Sequence, residues 1–134
     1  MSSSAQCQGM ILLVDDENSA HLTLKRLLEN NDLVINSVFS AKEAMEKISD
    51  DYDLVITDVR MPEMNGVELL KIIKEKFPTI EVLILTGYST VEDTIESMTS
   101  GAGEYLTKPI KDRNEFIDRV FKAIKISRIL RVKN

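Results

Sequence analysis

Three carboxylates, a hydroxyl and an ammonium each stand directly after a short apolar run. Asp58 follows Asp53 to Thr57 (DLVIT), Asp15 and Asp16 follow Met10 to Val14, Thr86 ends the run from Ile80, and Lys108 with Pro109 follows Glu104 to Thr107. In an open α/β sheet the carboxyl ends of parallel strands share one edge, where ligands bind, so these groups are expected to converge there. Together they suit a phosphoryl group and a divalent cation. Taken singly, each has a plainer role: Asp15 and Asp16 can complement the start of a helix, Asp58 can cap a turn, Thr86 can end a strand, and Lys108 can be a solvated charge. What favours the chemical reading is that four separate strand ends deliver complementary groups to one edge.

The elements that would place them follow from periodicity. Short continuous apolar runs alternate with helical spacing, giving the order βα five times. The first helix is expected from about Glu17 to Glu29 with Ala20, Leu24, Leu27 and Leu28 as its buried stripe, and His21 as a surface residue. A strand from Leu33 to Phe39 precedes a helix opened by Ser40 and Glu43, a capping-box pattern. A third helix follows Gly66 and buries Leu69, Leu70, Ile73 and Phe77 before Pro78. Ser89 and Glu92 form a capping pattern for a helix carrying Val91, Ile95 and Met98, and the last helix starts near Asp112. Buried strands alternating with amphipathic helices call for a parallel sheet covered on both faces.

At 134 residues, with 43% apolar and 29% charged residues, the chain fits one soluble domain. Its apolar runs of four or five residues fall far short of the roughly 20 that span a bilayer. Residues 1–9 read as a disordered polar lead-in without a signal peptide, and the single Cys7 excludes an internal disulfide, both of which point to the cytoplasm. Residues 111–134 carry eight Lys or Arg against three acids, a net +5, which leaves −10 on residues 1–110. Such an acidic body argues against nucleic-acid binding by this domain.

The set Asp15-Asp16, Asp58-Val59-Arg60-Met61-Pro62 with Gly66, Thr86-Gly87 and Tyr105-Leu106-Thr107-Lys108-Pro109 closely resembles the receiver domain of two-component response regulators, over about residues 10–125. The wording around Asp58 and Thr86 is most similar to receivers of bacterial enhancer-binding transcription regulators. The resemblance implies a flavodoxin-like, doubly wound five-stranded parallel sheet of order 2-1-3-4-5, with residues 126–134 extending the fifth helix. It implies Mg2+ as cofactor and phosphorylation of Asp58 by a sensor histidine kinase. Asp16 and Asp58 would bind the cation directly, Asp15 largely through water, and the backbone carbonyl of Arg60 would complete the protein ligands. Lys108 would pair with a phosphoryl oxygen, Pro109 would follow a cis bond, and Thr86 with Tyr105 would form the switch. The conformational report would emerge on the face of helix four, strand five and helix five.

Two other function classes share some of these residues. An aspartyl-phosphate phosphohydrolase of the haloacid-dehalogenase group would carry a second acid two residues after its nucleophile, where this chain has Arg60. A phosphorylation-independent interaction domain on a receiver scaffold would normally lack one of the site residues. Two surfaces are expected to meet partners. Leu22 lies about 180° from the buried stripe of the first helix and would belong to the kinase-docking face. Late in the fifth helix, Ile126, Ile129 and Leu130 fall opposite Ile117, Val120, Phe121 and Ile124, so the helix end would contact a second copy or lead into an output domain, and the face of helix four, strand five and helix five is the other expected homodimer surface.

Overall fold

The computed structural model describes residues 8–133. The expectations for Cys7 and for most of the lead-in therefore lie outside the described residues, while Gly9 already belongs to the first strand. The elements are β1 (Gly9–Val14), α1 (Asn18–Leu28), β2 (Leu33–Val38), α2 (Ala41–Lys47), β3 (Leu54–Thr57), α3 (Gly66–Lys76), β4 (Glu81–Thr86), α4 (Val91–Thr99), β5 (Glu104–Thr107) and α5 (Arg113–Lys133). All strand pairs are parallel and the sheet order is β2-β1-β3-β4-β5. This is the expected doubly wound arrangement.

The strands are apolar without interruption because both of their faces are covered. Ile11 and Leu13, Leu54 and Ile56, and Leu83 and Leu85 pack with α1 and α5 through Leu24, Leu28, Phe116, Val120 and Ile124. The alternate positions Leu12, Val14, Val55, Val82 and Ile84 pack on the other side with Ala41, Ala44, Leu69, Leu70 and Ile73 of α2 and α3. Strand period two divides each run between two cores.

Helix starts show where local chemistry agrees with the sequence pattern and where it shifts. Ser40 Oγ accepts the Glu43 N–H at 3.0 Å as expected, but the Glu43 carboxylate turns to the Phe39 N–H instead of closing on Ser40. At α3, Asn65 and Glu68 form the complete reciprocal box. The cap of α4 is Thr90, which accepts the Asp93 N–H at 3.0 Å, so the start lies one residue beyond the expected Ser89. The apolar positions of α4 face outward: Val91 is 73% exposed and Ile95 58%. His21 is buried, contrary to its expected surface place, because the Phe39 ring covers it at 4.3 Å.

Candidate functional site

Strand register brings the chemical residues to one edge. Val14 is level with Thr57, Thr57 with Ile84, and Thr86 with Thr107, so Asp15, Asp16, Asp58, Thr86 and Lys108 all emerge at the carboxyl ends of their strands. Asp15 and Thr86 are buried, Asp58 is 9% exposed, and Asp16 is open to solvent. Lys108 draws two of the acids together. Its Nζ donates to Asp15 Oδ2 at 2.8 Å and to Asp58 Oδ2 at 3.3 Å. Burial alone would lower the Lys108 pKa, but the hydrogen bond to Asp15 and the charges of Asp58 and Asp15 outweigh it, leaving the group raised above its ordinary 10.5.

Local bonds fix the acids further. Asp15 Oδ1 accepts the Glu17 N–H at 3.0 Å, and Asp58 Oδ1 accepts the Arg60 N–H at 3.2 Å. The Asp15 backbone carbonyl accepts from His21 Nε2 at 2.8 Å, a buried tie that the sequence did not reveal. Gly66 is required where the β3–α3 loop returns, because a Cβ there would run into the Asp58 carbonyl. The Lys108–Pro109 peptide is cis.

Asp16, Asp58, Arg60, Thr86, Tyr88 and Lys108 line an open cleft of about 370 Å³. The Thr86 hydroxyl accepts the Tyr88 N–H at 3.2 Å, and the half-buried Tyr105 accepts the Ser89 hydroxyl at its own OH at 3.1 Å. Leu22 lies apart from the cleft and is 60% exposed. Asp16, Asp15, Asp58 and the Arg60 backbone offer hard oxygen atoms suited to Mg2+. Among the described residues no three acid, His or Cys side chains form a ready-made metal group, so the fit rests on donor chemistry rather than on finished coordination geometry.

A doubly wound α/β domain with three acids, a hydroxyl and a lysine at one sheet edge is a phosphoacceptor module in architecture. The chain belongs to the response regulator receiver domain family, whose model matches residues 11–121. Members of that family act as phosphoacceptors in signalling, and receiver domains generally use Mg2+ at the phosphorylation site. Among curated proteins, the chain is 43% identical over 101 residues to the transcriptional regulatory protein ZraR of Klebsiella oxytoca, covering 75% of this chain and 23% of that protein. It is 33% identical over 118 residues to the DNA-binding transcriptional regulator NtrC of Proteus hauseri, covering 87% and 25%. The chain thus spans about a quarter of the length of these relatives. Among solved structures, a response regulator receiver domain protein from Clostridium thermocellum matches with TM-score 0.80 and 32% identity, covering 91% of this chain and 98% of that one. The signal receiver domain of an HD domain-containing protein from Pseudomonas fluorescens Pf-5 gives TM-score 0.88 at 26% identity, covering 94% and 93%. Among the described residues no helix is long and apolar enough to cross a membrane.

Proposed function

We propose that Asp58 is the phosphoryl acceptor of this receiver domain and that a sensor histidine kinase is its donor. The supporting observation is the placement of the Asp58 carboxylate at the cleft, in contact with Lys108 and beside Asp16 and Thr86. A carboxylate oxygen of Asp58 attacks phosphorus, forming an O–P bond as the P–N bond to the donor histidine breaks, and the electron pair returns to the imidazole. Lys108 supplies an ammonium at Asp58 Oδ2, positioned to pair with a phosphoryl oxygen as a point charge. Asp16, Asp58 and the Arg60 carbonyl would hold Mg2+, with Asp15 acting through water. When bound, the cation offsets the repulsion between an anionic nucleophile and an anionic donor.

Thr86 and Tyr105 are the proposed switch. Thr86 would give up its bond to the Tyr88 main chain to reach the phosphoryl group, and Tyr105 its bond to the Ser89 hydroxyl to turn inward into the space that Thr86 leaves. For the donor, a groove of about 300 Å³ lined by Ala20, Thr23, Leu27, Pro109 and Ile110 beside Lys108 offers one apolar contact, and the exposed Leu22, on the other side of α1, offers a separate one. We assign a cytoplasmic setting, control of an output such as transcription, and self-association through the α4-β5-α5 face or the end of α5. Residues 10–125 form the receiver unit in this reading, with 126–134 as an extension.

Labelling with acetyl phosphate in Mg2+, read by intact mass, tests the acceptor. One phosphoryl group is expected on the unchanged chain and none on Asp58→Asn. Comparable labelling of the variant would remove the assignment.

A further inference from the structure

One side chain joins the acceptor loop to the first turn of α4. The backbone N–H of Arg60 bonds Asp58 Oδ1, while its guanidinium puts Nη2 3.2 Å from Asp93 Oδ2 and Cζ 5.0 Å from the centre of the Tyr88 ring. Tyr88 is tied in turn to the Thr86 hydroxyl through its own main chain. Few apolar contacts compete with this link. Only Ser97 of the nine α4 residues is buried, and among the described residues the other ion pair reaching the helix, Lys71 to Glu96, joins two half-exposed partners. A helix anchored by so little apolar area is sensitive to polar links of modest strength.

We propose that the Arg60 guanidinium is a charge-operated latch: paired with Asp93 and Tyr88 it holds α4 and the β4–α4 loop as seen here, and a phosphoryl group on Asp58 draws it away and frees α4. This deepens, and rests on, the phosphoacceptor reading. A phosphoryl group brings about −1.5 to −2 charges and three acceptor oxygens to the cleft that Arg60 lines. A guanidinium matches those oxygens better than it matches a single carboxylate oxygen. The pair it would leave is exposed on the Arg60 side, and exposed pairs bias an equilibrium by up to about fivefold. That is enough to matter for a loosely held helix and small enough to be overcome.

Asp93 has a second role that a test must separate. As the third residue of α4 it also complements the helix macrodipole. Arg60→Gln removes the latch and leaves that effect intact, so both partners are replaced. Hydrogen exchange of the α4 amides is measured in the full chain, in Arg60→Gln, in Asp93→Asn, in the double variant and in Asp93→Glu, with and without acetyl phosphate and Mg2+. Intact mass reports labelling in parallel.

Without phosphate, each single variant is expected to raise α4 exchange about two- to fivefold. The double variant should go no further than the larger single effect, and Asp93→Glu should restore protection. Acetyl phosphate should raise α4 exchange in the unchanged chain and add little in Asp93→Asn, although that variant takes up the label normally. Unaltered exchange in the singles, additive effects in the double, or a full response to phosphate in Asp93→Asn would each overturn the latch. A chain that gains no phosphoryl mass removes the phosphoacceptor reading and the release step with it, while the unphosphorylated comparison still decides whether Arg60 holds α4.

Discussion

Lys108 and Asp16 both face the cleft, yet their loss should have different consequences. Asp16 is a solvent-open carboxylate at the edge, whereas Lys108 bridges Asp15 and Asp58 and carries no metal-binding lone pair when charged. Asp16→Ala is expected to weaken Mg2+ binding at least tenfold, while Lys108→Ala should retain or strengthen it and lose the pairing with the phosphoryl oxygen. Calorimetric Mg2+ titration separates the two, and an equal loss of affinity would refute the division of roles. Because the Lys108 pKa is raised in the fold, the stability tied to its charge is complete below 10.5 and is lost only as pH rises through the higher folded value. Around neutrality this group should give no pH dependence. At this scale the strand-end residues were legible because strand length and sheet direction alone dictate where they emerge. His21 and the partners of Arg60 were not, since Phe39 and Asp93 are brought to them by tertiary packing.

Among the elements, α1 and α5 carry the surfaces proposed to meet partners beyond the cleft. Leu22 projects from α1 among Asn18, Lys25 and Glu29, all exposed, and its substitution touches no core contact. Leu22→Asp should slow phosphotransfer from a cognate histidine kinase about tenfold or more while sparing labelling by acetyl phosphate, because only the former needs a docked protein. Equal loss with both donors would indicate misfolding. At the opposite end of the sheet, the carboxylate of Asp53 is 1% exposed in its side chain and accepts from Arg128 Nε and Nη2 at 3.2 and 3.1 Å and from the Met10 N–H at 2.8 Å. Arg131 Nη2 stands 3.2 Å from the same group and donates to the Tyr52 carbonyl at 3.0 Å. Replacing both arginines by Met leaves a buried carboxylate without its cations. Both guanidiniums are partly exposed, so the cost should be about 2–3 kcal/mol, less than that of a fully buried pair. Urea unfolding of the double variant measures it, and a loss under about 0.5 kcal/mol would show the pairing to be incidental. Helical periodicity displayed the two stripes of α5, but it said nothing of Asp53, which read only as the first residue of an apolar run.

For the molecule as a whole, that arginine pair changes how self-association can be tested. Ending the chain at Lys125 would remove Arg128 and Arg131 together with the apolar stripe, and so would unsettle Asp53 while it tested the surface. Substitution at Ile129 and Val132 keeps both arginines in the chain. Ile129 is 47% exposed and Val132 86%, and they line a groove of about 600 Å³ with Phe121, Ile124, Lys125 and Lys133. Burying such a surface against a second copy would recover hydrophobic free energy, but it would also bring together two copies of a helix rich in Lys and Arg. Salt separates the two effects, because screening weakens the repulsion and leaves the apolar term in place. Sedimentation of the full chain should therefore show a dimer fraction that grows with protein concentration and with ionic strength, and grows again after acetyl phosphate treatment. Ile129→Glu with Val132→Glu should keep the chain monomeric throughout while leaving its labelling unchanged. Monomers at every salt concentration, phosphorylated or not, would exclude the end of α5 as a self-association surface.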